Sequence, residues 1–282
     1  MSERTGKNIR IGTSGFSYDD WKGHFYPPDI RKGDMLSYYA RQFNTVEINS
    51  TFYSIPHPAT FWQMCRKVPD GFEFVIKAPR EITHERKGVE DALSRFLKAI
   101  QPTIDEGKFG CILAQFPWSF RPDEEAVQYL KALREMFEGY PVVVEFRNAA
   151  WVTEDTFDLL RRLGFGFCCV DEPRLKGLMP KVAVSTSNLA YFRFHGRNAE
   201  KWWKHEQPWE RYDYLYTEEE LKEWAPKIKR VAEGAEKTYV FFNNHYQGKA
   251  AINARMMAKL LDIPLPEPPA DIPSTLPFGE TR

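Results

Sequence analysis

The stretch YFRFHGRN, residues 191–198, alternates aromatic rings with Arg193 and His195 and then reaches Gly196. Strict alternation marks a strand, because successive side chains leave a strand on opposite faces. A surface strand gives one of those faces to water. Here the polar face holds a guanidinium and an imidazole crowded between bulky rings, and the other face holds Phe192 and Phe194. The stretch therefore reads as a buried strand with Tyr191, Arg193 and His195 turned inward. Gly196 lets the chain turn out, so that Arg197 rims whatever lies above.

Seven further segments share this apolar density: 9–15, 45–52, 72–79, 109–116, 141–148, 166–173 and 238–245, with 189–196 completing the set. Amphipathic patterns fall between nearly all of them, at 34–42, 58–67, 89–100, 123–137, 153–163, 217–233 and 248–261. Thr217 followed by Glu220 has capping-box spacing, and Thr153 stands ahead of the fifth pattern. Strands buried on both faces and joined by helices belong to a parallel sheet. Eight such units predict an α/β fold of the (β/α)8 TIM type. Residues 174–188 contain Pro180 and no clean period, so the sixth helix is expected to be short or lost. A doubly wound open sheet is the alternative, but GTSGFS after the first strand is not the G-x-G-x-x-G turn of such sheets. Residues 1–263 are expected to be one barrel domain. Residues 264–282, with six prolines, form a Pro-rich tail that cannot be helical.

Lys plus Arg equals Asp plus Glu at 39 each, so no global field draws the 282-residue chain to nucleic acid or to an anionic membrane. No apolar run reaches the roughly 18 residues of a membrane span. Cys65, Cys111, Cys168 and Cys169 form no C-x-x-C pair, and no signal peptide precedes Ile9. The expectation is a cytoplasmic protein whose cysteines are structural.

In a barrel of this type the functional groups sit at the C-terminal strand ends. Strand by strand, those ends supply Glu47 and Asn49, Lys77, Gln115, Glu145 and Arg147, Asp171, Arg193 and His195 with Arg197 beyond, and Asn243, Asn244 and His245. Glu47 and Asn49 are two apart, as are Glu145 and Arg147, so each pair shares a face. Val46, Ile48, Val144, Phe146, Phe192 and Phe194 then pack outward, and the charged set points into the mouth. Buried charges cost several kcal/mol unless paired, so mutual pairing is the structural alternative: Arg147 with Glu145 or Glu47, and Arg193 with Asp171. The loops above the mouth carry Tyr18, Trp21, Tyr53, Trp202, Trp203 and other rings beside Lys201, Lys204 and Arg211. Rings with interleaved cations suit sugars or nucleobases attached to an anion; the alternative is a lid whose rings pack on each other.

The motifs GTSGFSYDDWKGHFYP, FNTVEINSTFYSIP, FEFVIKAPREITH, LAQFPWSF, VVVEFRNAAW, YFRFHGR and VFFNNHYQGKAAINA resemble, in this order, the YecE-like family, domain of unknown function family 72, over residues 10–261. The resemblance implies a TIM-barrel-like fold with no established activity. Its motif positions include Glu47, Asn49, Thr51, Tyr53, Lys77, Thr83, His84, Gln115, Glu145, Arg147, Arg193, His195, Gly196, Arg197, Asn243 and Asn244. The barrel is similar to those of the xylose isomerase and endonuclease IV type, which speaks to fold and not to function.

Three functional readings follow from the residues. The first is a site for a small anionic, ring-containing ligand such as a sugar phosphate or nucleotide, with acid/base hydrolase, lyase or isomerase chemistry. There Arg147, Arg193 and Arg197 grip the anion, His195 is the acid/base, and Glu47 or Glu145 its partner. Lys77 is a candidate for Schiff-base chemistry, and Asn49, Gln115, Asp171, Asn243, Asn244, Tyr18, Trp21, Tyr53 and Trp202 complete the ligand contacts. The second is metal-assisted phosphoester hydrolysis of nucleic acid, with Glu47, Glu145, Asp171 and His245 as candidate ligands; the neighbouring cations compete for those carboxylates, and zero net charge disfavours DNA. The third is ligand or partner binding without turnover. The residues demand no cofactor and leave a divalent metal open.

Overall fold

Eight parallel strands curl into a barrel in the computed structural model, which describes residues 9–265. They are β1 (Ile9–Thr13), β2 (Thr45–Ile48), β3 (Glu73–Lys77), β4 (Phe109–Gln115), β5 (Val142–Glu145), β6 (Gly166–Asp171), β7 (Leu189–Phe194) and β8 (Lys237–Phe242). The hydrogen-bonded order is β1-β8-β7-β6-β5-β4-β3-β2. Residues 1–8 and 266–282 lie outside the described residues, and with them most of the expected tail.

The barrel closes between β1 and β2, and it closes differently there. No ladder joins the two strands; only a bridge between Ser14 and Glu47 does. The space below that bridge is filled by the Tyr39 hydroxyl. It accepts from the Thr13 backbone N–H at 2.9 Å and donates to the Thr45 carbonyl at 3.1 Å. Gly12 makes this approach sterically feasible, since a Cβ there would lie 2.3 Å from the Thr45 carbonyl oxygen.

Helices α1 (Met35–Tyr39), α2 (Pro58–Cys65), α3 (Val89–Asp105), α4 (Glu124–Met136), α5 (Glu154–Leu163), α6 (Glu218–Lys222), α7 (Ala225–Glu233) and α8 (Lys249–Leu260) cover the strands. Between β6 and β7 residues 172–188 contain no helix, as Pro180 and the missing period implied. The Thr217 hydroxyl accepts from the Glu220 amide, and the Glu220 carboxylate accepts from the Thr217 amide, so the capping box forms. The single helix expected over 217–233 is instead two, α6 and α7. Pro226 stands in the first turn of α7, where its missing N–H costs nothing, and so starts a helix instead of extending one.

Strand parity places the core as expected. Phe146 leaves β5 outward and stacks on Trp151 at 4.2 Å. Phe194 leaves β7 outward and stacks on Phe242 at 4.6 Å. The opposite face of β7, with Tyr191 and Arg193, fills the barrel interior. No helix among the described residues is long and apolar enough to cross a membrane.

Candidate functional site

The inward face of β7 builds the floor of the mouth. Arg193 is 2 % exposed and lies between two carboxylates: Nη1 is 2.6 Å from Glu145 Oε2, and Nη2 is 2.6 Å from Glu47 Oε1. Tyr191 donates its hydroxyl to the other Glu47 oxygen at 2.6 Å. Glu145 also meets Arg147, with Nε at 2.5 Å from Oε1, and His195, with Nε2 at 3.1 Å from the same oxygen. The second His195 nitrogen is 3.1 Å from the Asn243 amide nitrogen. Burial alone would raise the Glu145 carboxyl, but Arg147, Arg193 and His195 outweigh it and hold the group well below the usual carboxylate range. Burial, then the Arg147 charge, pushes His195 down to about 3, so its ring is neutral.

Above this floor opens a cavity of about 260 Å³, lined by two kinds of group. Lys77, Arg147, Arg211 and His84 supply nitrogen; Phe52, Tyr53, Trp118, Trp202, Trp203 and Tyr212 supply ring faces. Gln115, Pro117 and Leu178 complete the wall. Tyr53 and Trp203 stand on the rim, 78 % and 54 % exposed, whereas Trp202 is buried behind it. Lys77 places Nζ 2.8 Å from Gln115 Oε1 and 4.1 Å from the centre of the Phe52 ring. Burial, then the Arg193 charge, pushes its ammonium down to about 7. Thr83 holds His84 through a 2.9 Å contact to Nδ1. Burial and the Lys77 charge push that imidazole down to about 4.

Lys77, Gln115, Arg147, Tyr53 and Trp202 thus meet at one cavity, while Glu47, Glu145, Arg193, His195 and Asn243 form the ion cluster beneath it. Other expected site residues lie elsewhere. Asp171 sits three residues after Cys168, whose sulfur is 3.8 Å from Glu145; the odd offset turns Asp171 to the outer face. There it accepts two bonds from Arg197 at 2.8 and 2.9 Å, one from Tyr216 at 2.8 Å and one from the Trp224 indole at 2.6 Å. Arg193 therefore pairs with Glu47 and Glu145, not with Asp171, and Arg197 is taken up by Asp171 and Glu220 instead of rimming the cavity. Gly196, at φ 89°, makes the turn that carries Arg197 outward.

Trp21 is fully buried and donates to the His245 carbonyl at 2.6 Å. Tyr18 donates to the Ser14 carbonyl at 2.6 Å and stacks on the His245 ring at 4.6 Å. Both rings pack the first loop against the last, so neither faces the cavity. Asn244 braces the chain, donating to the Tyr214 carbonyl and to Asn253. Asn49 follows β2 and is not among the cavity-lining residues.

His195 does not line the cavity either. Both its nitrogens are engaged, Nε2 with Glu145 and Nδ1 with Asn243. As metal donors, Glu47, Glu145, Asp171 and His245 are not gathered into one set, and among the described residues no three His, Cys, Asp or Glu side chains are placed to hold an ion. The first three are already bonded to guanidinium groups.

Sequence reasoning missed Glu172, Trp118 and Leu178. Glu172 accepts from Arg147 at 3.3 Å and from the Met179 amide at 2.8 Å. Burial pushes its carboxyl up to about 7. Trp118 stands three residues after the end of β4, in a stretch, FPWSF, whose rings were the available signal.

The class defined by this geometry is a (β/α)8 barrel with a neutralised ion cluster under a cationic, ring-lined mouth. The chain belongs to the family described as Protein of unknown function DUF72, whose profile matches residues 10–275. It is similar to UPF0759 protein YunF of Bacillus subtilis (strain 168), at 30% identity over 271 residues, covering 90% of this chain and 95% of that protein. It is 31% identical over 136 residues to UPF0759 protein YecE of Escherichia coli (strain K12), covering 47% of this chain and 44% of that one. A DUF72 family protein of Thermotoga maritima MSB8, solved by crystallography, superposes with a TM-score of 0.84 at 44% identity, covering 90% of this chain and 99% of that chain. One from Enterococcus faecalis V583 superposes at 0.82 with 29% identity, covering 93% and 98%.

Proposed function

We propose that the mouth binds a small molecule joining an anionic group to a ring, of the sugar-phosphate or nucleotide kind. One observation carries this reading: the ionisable side chains lining the cavity are the guanidinium groups of Arg147 and Arg211, the Lys77 amine and the ring groups of His84, Tyr53 and Tyr212, and none is a carboxylate. Glu47 and Glu145 are matched by Arg193 and Arg147, so the positive charge left over at the opening comes from Arg211 and Lys77. Guanidinium forks suit phosphate or carboxylate oxygens, and the surrounding ring faces suit a flat or sugar ring. Zero net charge on the whole chain keeps that field local. Four free, buried cysteines support a reducing compartment, and we place the protein in the cytoplasm.

Calorimetry at low salt with ribose 5-phosphate and a nucleoside 5′-monophosphate tests the reading. Both are expected to bind, and Arg211→Ala is expected to weaken them about tenfold, in line with ~1.5 kcal/mol for a charged hydrogen bond. Raising the salt to 0.5 M weakens binding further. If neither compound, nor inorganic phosphate, binds the wild-type protein, the proposal fails.

A further inference from the structure

Lys77 is placed as few lysines are. It ends β3 in the barrel mouth and is partly buried, and among the described residues no carboxylate forms an ion pair with it. The two acidic groups whose charges act on it, Glu145 and Glu47, are committed to Arg193 and Arg147. Its one polar partner among the described residues is neutral: Gln115 Oε1 accepts at 2.8 Å, and the Gln115 amide is itself fixed by donating to the Phe116 carbonyl at 2.7 Å. The Phe52 ring covers another side of the nitrogen at 4.1 Å. A lysine kept for charge alone needs neither desolvation nor cationic neighbours, whereas both favour a neutral, nucleophilic amine. The ammonium pushed down to about 7 agrees with that placement, although the Phe52 face favours the charged form.

We infer that Lys77 is the reacting amine of this site and forms an imine with the aldehyde or ketone carbonyl of an anionic substrate held by Arg147 and Arg211. This deepens the anion-and-ring reading and rests on it. The neutral Nζ adds its lone pair to the carbonyl carbon, and the C=O π pair moves to oxygen. A proton passes from nitrogen to that oxygen and gives a carbinolamine. The C–O bond then breaks, hydroxide leaves as water with a proton from solvent in the open cavity, and the nitrogen lone pair closes the C=N bond. One amine, one carbonyl and one proton enter; one iminium and one water result. The anionic group of the substrate offsets the cation left on Lys77. Electron withdrawal by the iminium then favours proton loss or bond cleavage at the neighbouring carbon, which is lyase or isomerase chemistry.

The test uses two probes on the full chain. Pyridoxine 5′-phosphate carries a ring and a phosphate but no carbonyl, and reports binding alone by calorimetry. Pyridoxal 5′-phosphate adds the aldehyde; its imine is trapped with cyanoborohydride and located by peptide mass spectrometry. The expected result is labelling of Lys77 about 100-fold faster than of exposed lysines at pH 7, with a midpoint in the rate near pH 7, because an ordinary lysine is only about one part in 10³ neutral there. Lys77→Arg, shown folded by circular dichroism, is expected to give no fast phase. Even labelling of surface lysines, or a Lys77 midpoint near 10, overturns the inference. Binding of pyridoxine 5′-phosphate without fast labelling of Lys77 defeats the imine while the binding reading stands. Failure of both probes defeats the imine; the binding reading falls with it only when ribose 5-phosphate, the nucleotide and inorganic phosphate also fail to bind.

Discussion

Arg193 shows how a charge is kept inside a barrel. Its two forks meet Glu47 and Glu145, all three groups are buried, and Tyr191 takes the remaining Glu47 oxygen. Removing one member of such a set leaves the others charged and dry, which costs about 3–5 kcal/mol. Arg193→Met is therefore expected to lower unfolding stability by that order in urea titration. Adding Glu47→Gln is expected to recover part of the loss, because one uncompensated charge disappears. A single variant within ~1 kcal/mol of wild type would show that the cluster contributes little. The inward direction of Glu47, Glu145, Arg193 and His195 was legible from spacing, since a period of two fixes the face. The pairing of Arg147 with Glu145 was legible from the same spacing. The partners of Arg193 were not: Asp171 lies on the opposite parity from Cys168, and only the fold shows Arg197 waiting for it outside.

The elements repeat this contrast. Eight strands and their intervening helices could be read from apolar density, because a strand covered on both faces has few polar positions to spare. The joint between β1 and β2 could not. Tyr39 reads as one more ring on the apolar face of α1, yet its hydroxyl stands in for a missing ladder by joining Thr13 to Thr45. Tyr39→Phe removes that link and leaves a buried N–H and a buried carbonyl unpaired. The expected cost is about 1–3 kcal/mol. Hydrogen exchange locates it: the Thr13 amide is expected to lose protection while amides paired between β7 and β8 keep theirs. Equal protection at Thr13 in both proteins would remove the hydroxyl from that role. The break between α6 and α7 belongs to the same scale. The pattern over 217–233 is continuous, and Pro226 was the local mark that it divides.

For the whole molecule, the buried groups set a direction with pH. His195 is held to about 3 and His84 to about 4, both by burial first, while Glu172 is raised to about 7. From about pH 6.5 to 4.5 the unfolded chain protonates both histidines and the folded protein does not. Glu172 opposes them, because the folded protein holds a proton there that the unfolded chain has released. Two protons against one leaves unfolding favoured as pH falls. Below about 4.5 Glu145 joins, since its folded pKa lies well under the unfolded value and its contribution is lost on acidification. The thermal midpoint is expected to drop from pH 6.5 to 4.5 and more steeply beyond. His195→Asn is expected to make the first part of that slope shallower. A midpoint that stays level between pH 6.5 and 4.5 would contradict this balance.

The strand order carries one more consequence. The only ladder of β1 is with β8, whose residues come more than 220 positions later. On a ribosome that releases the chain from its N-terminus, β1 is made before β8 and has no ladder edge to join until β8 emerges. Until then β1 has no ladder partner, and any sheet formed from β2 onward stays open. At about 5–20 residues per second that interval lasts about 10–45 s. Its exposed edge, rather than any step inside the finished barrel, is where a chaperone or a wrong neighbour would find this protein.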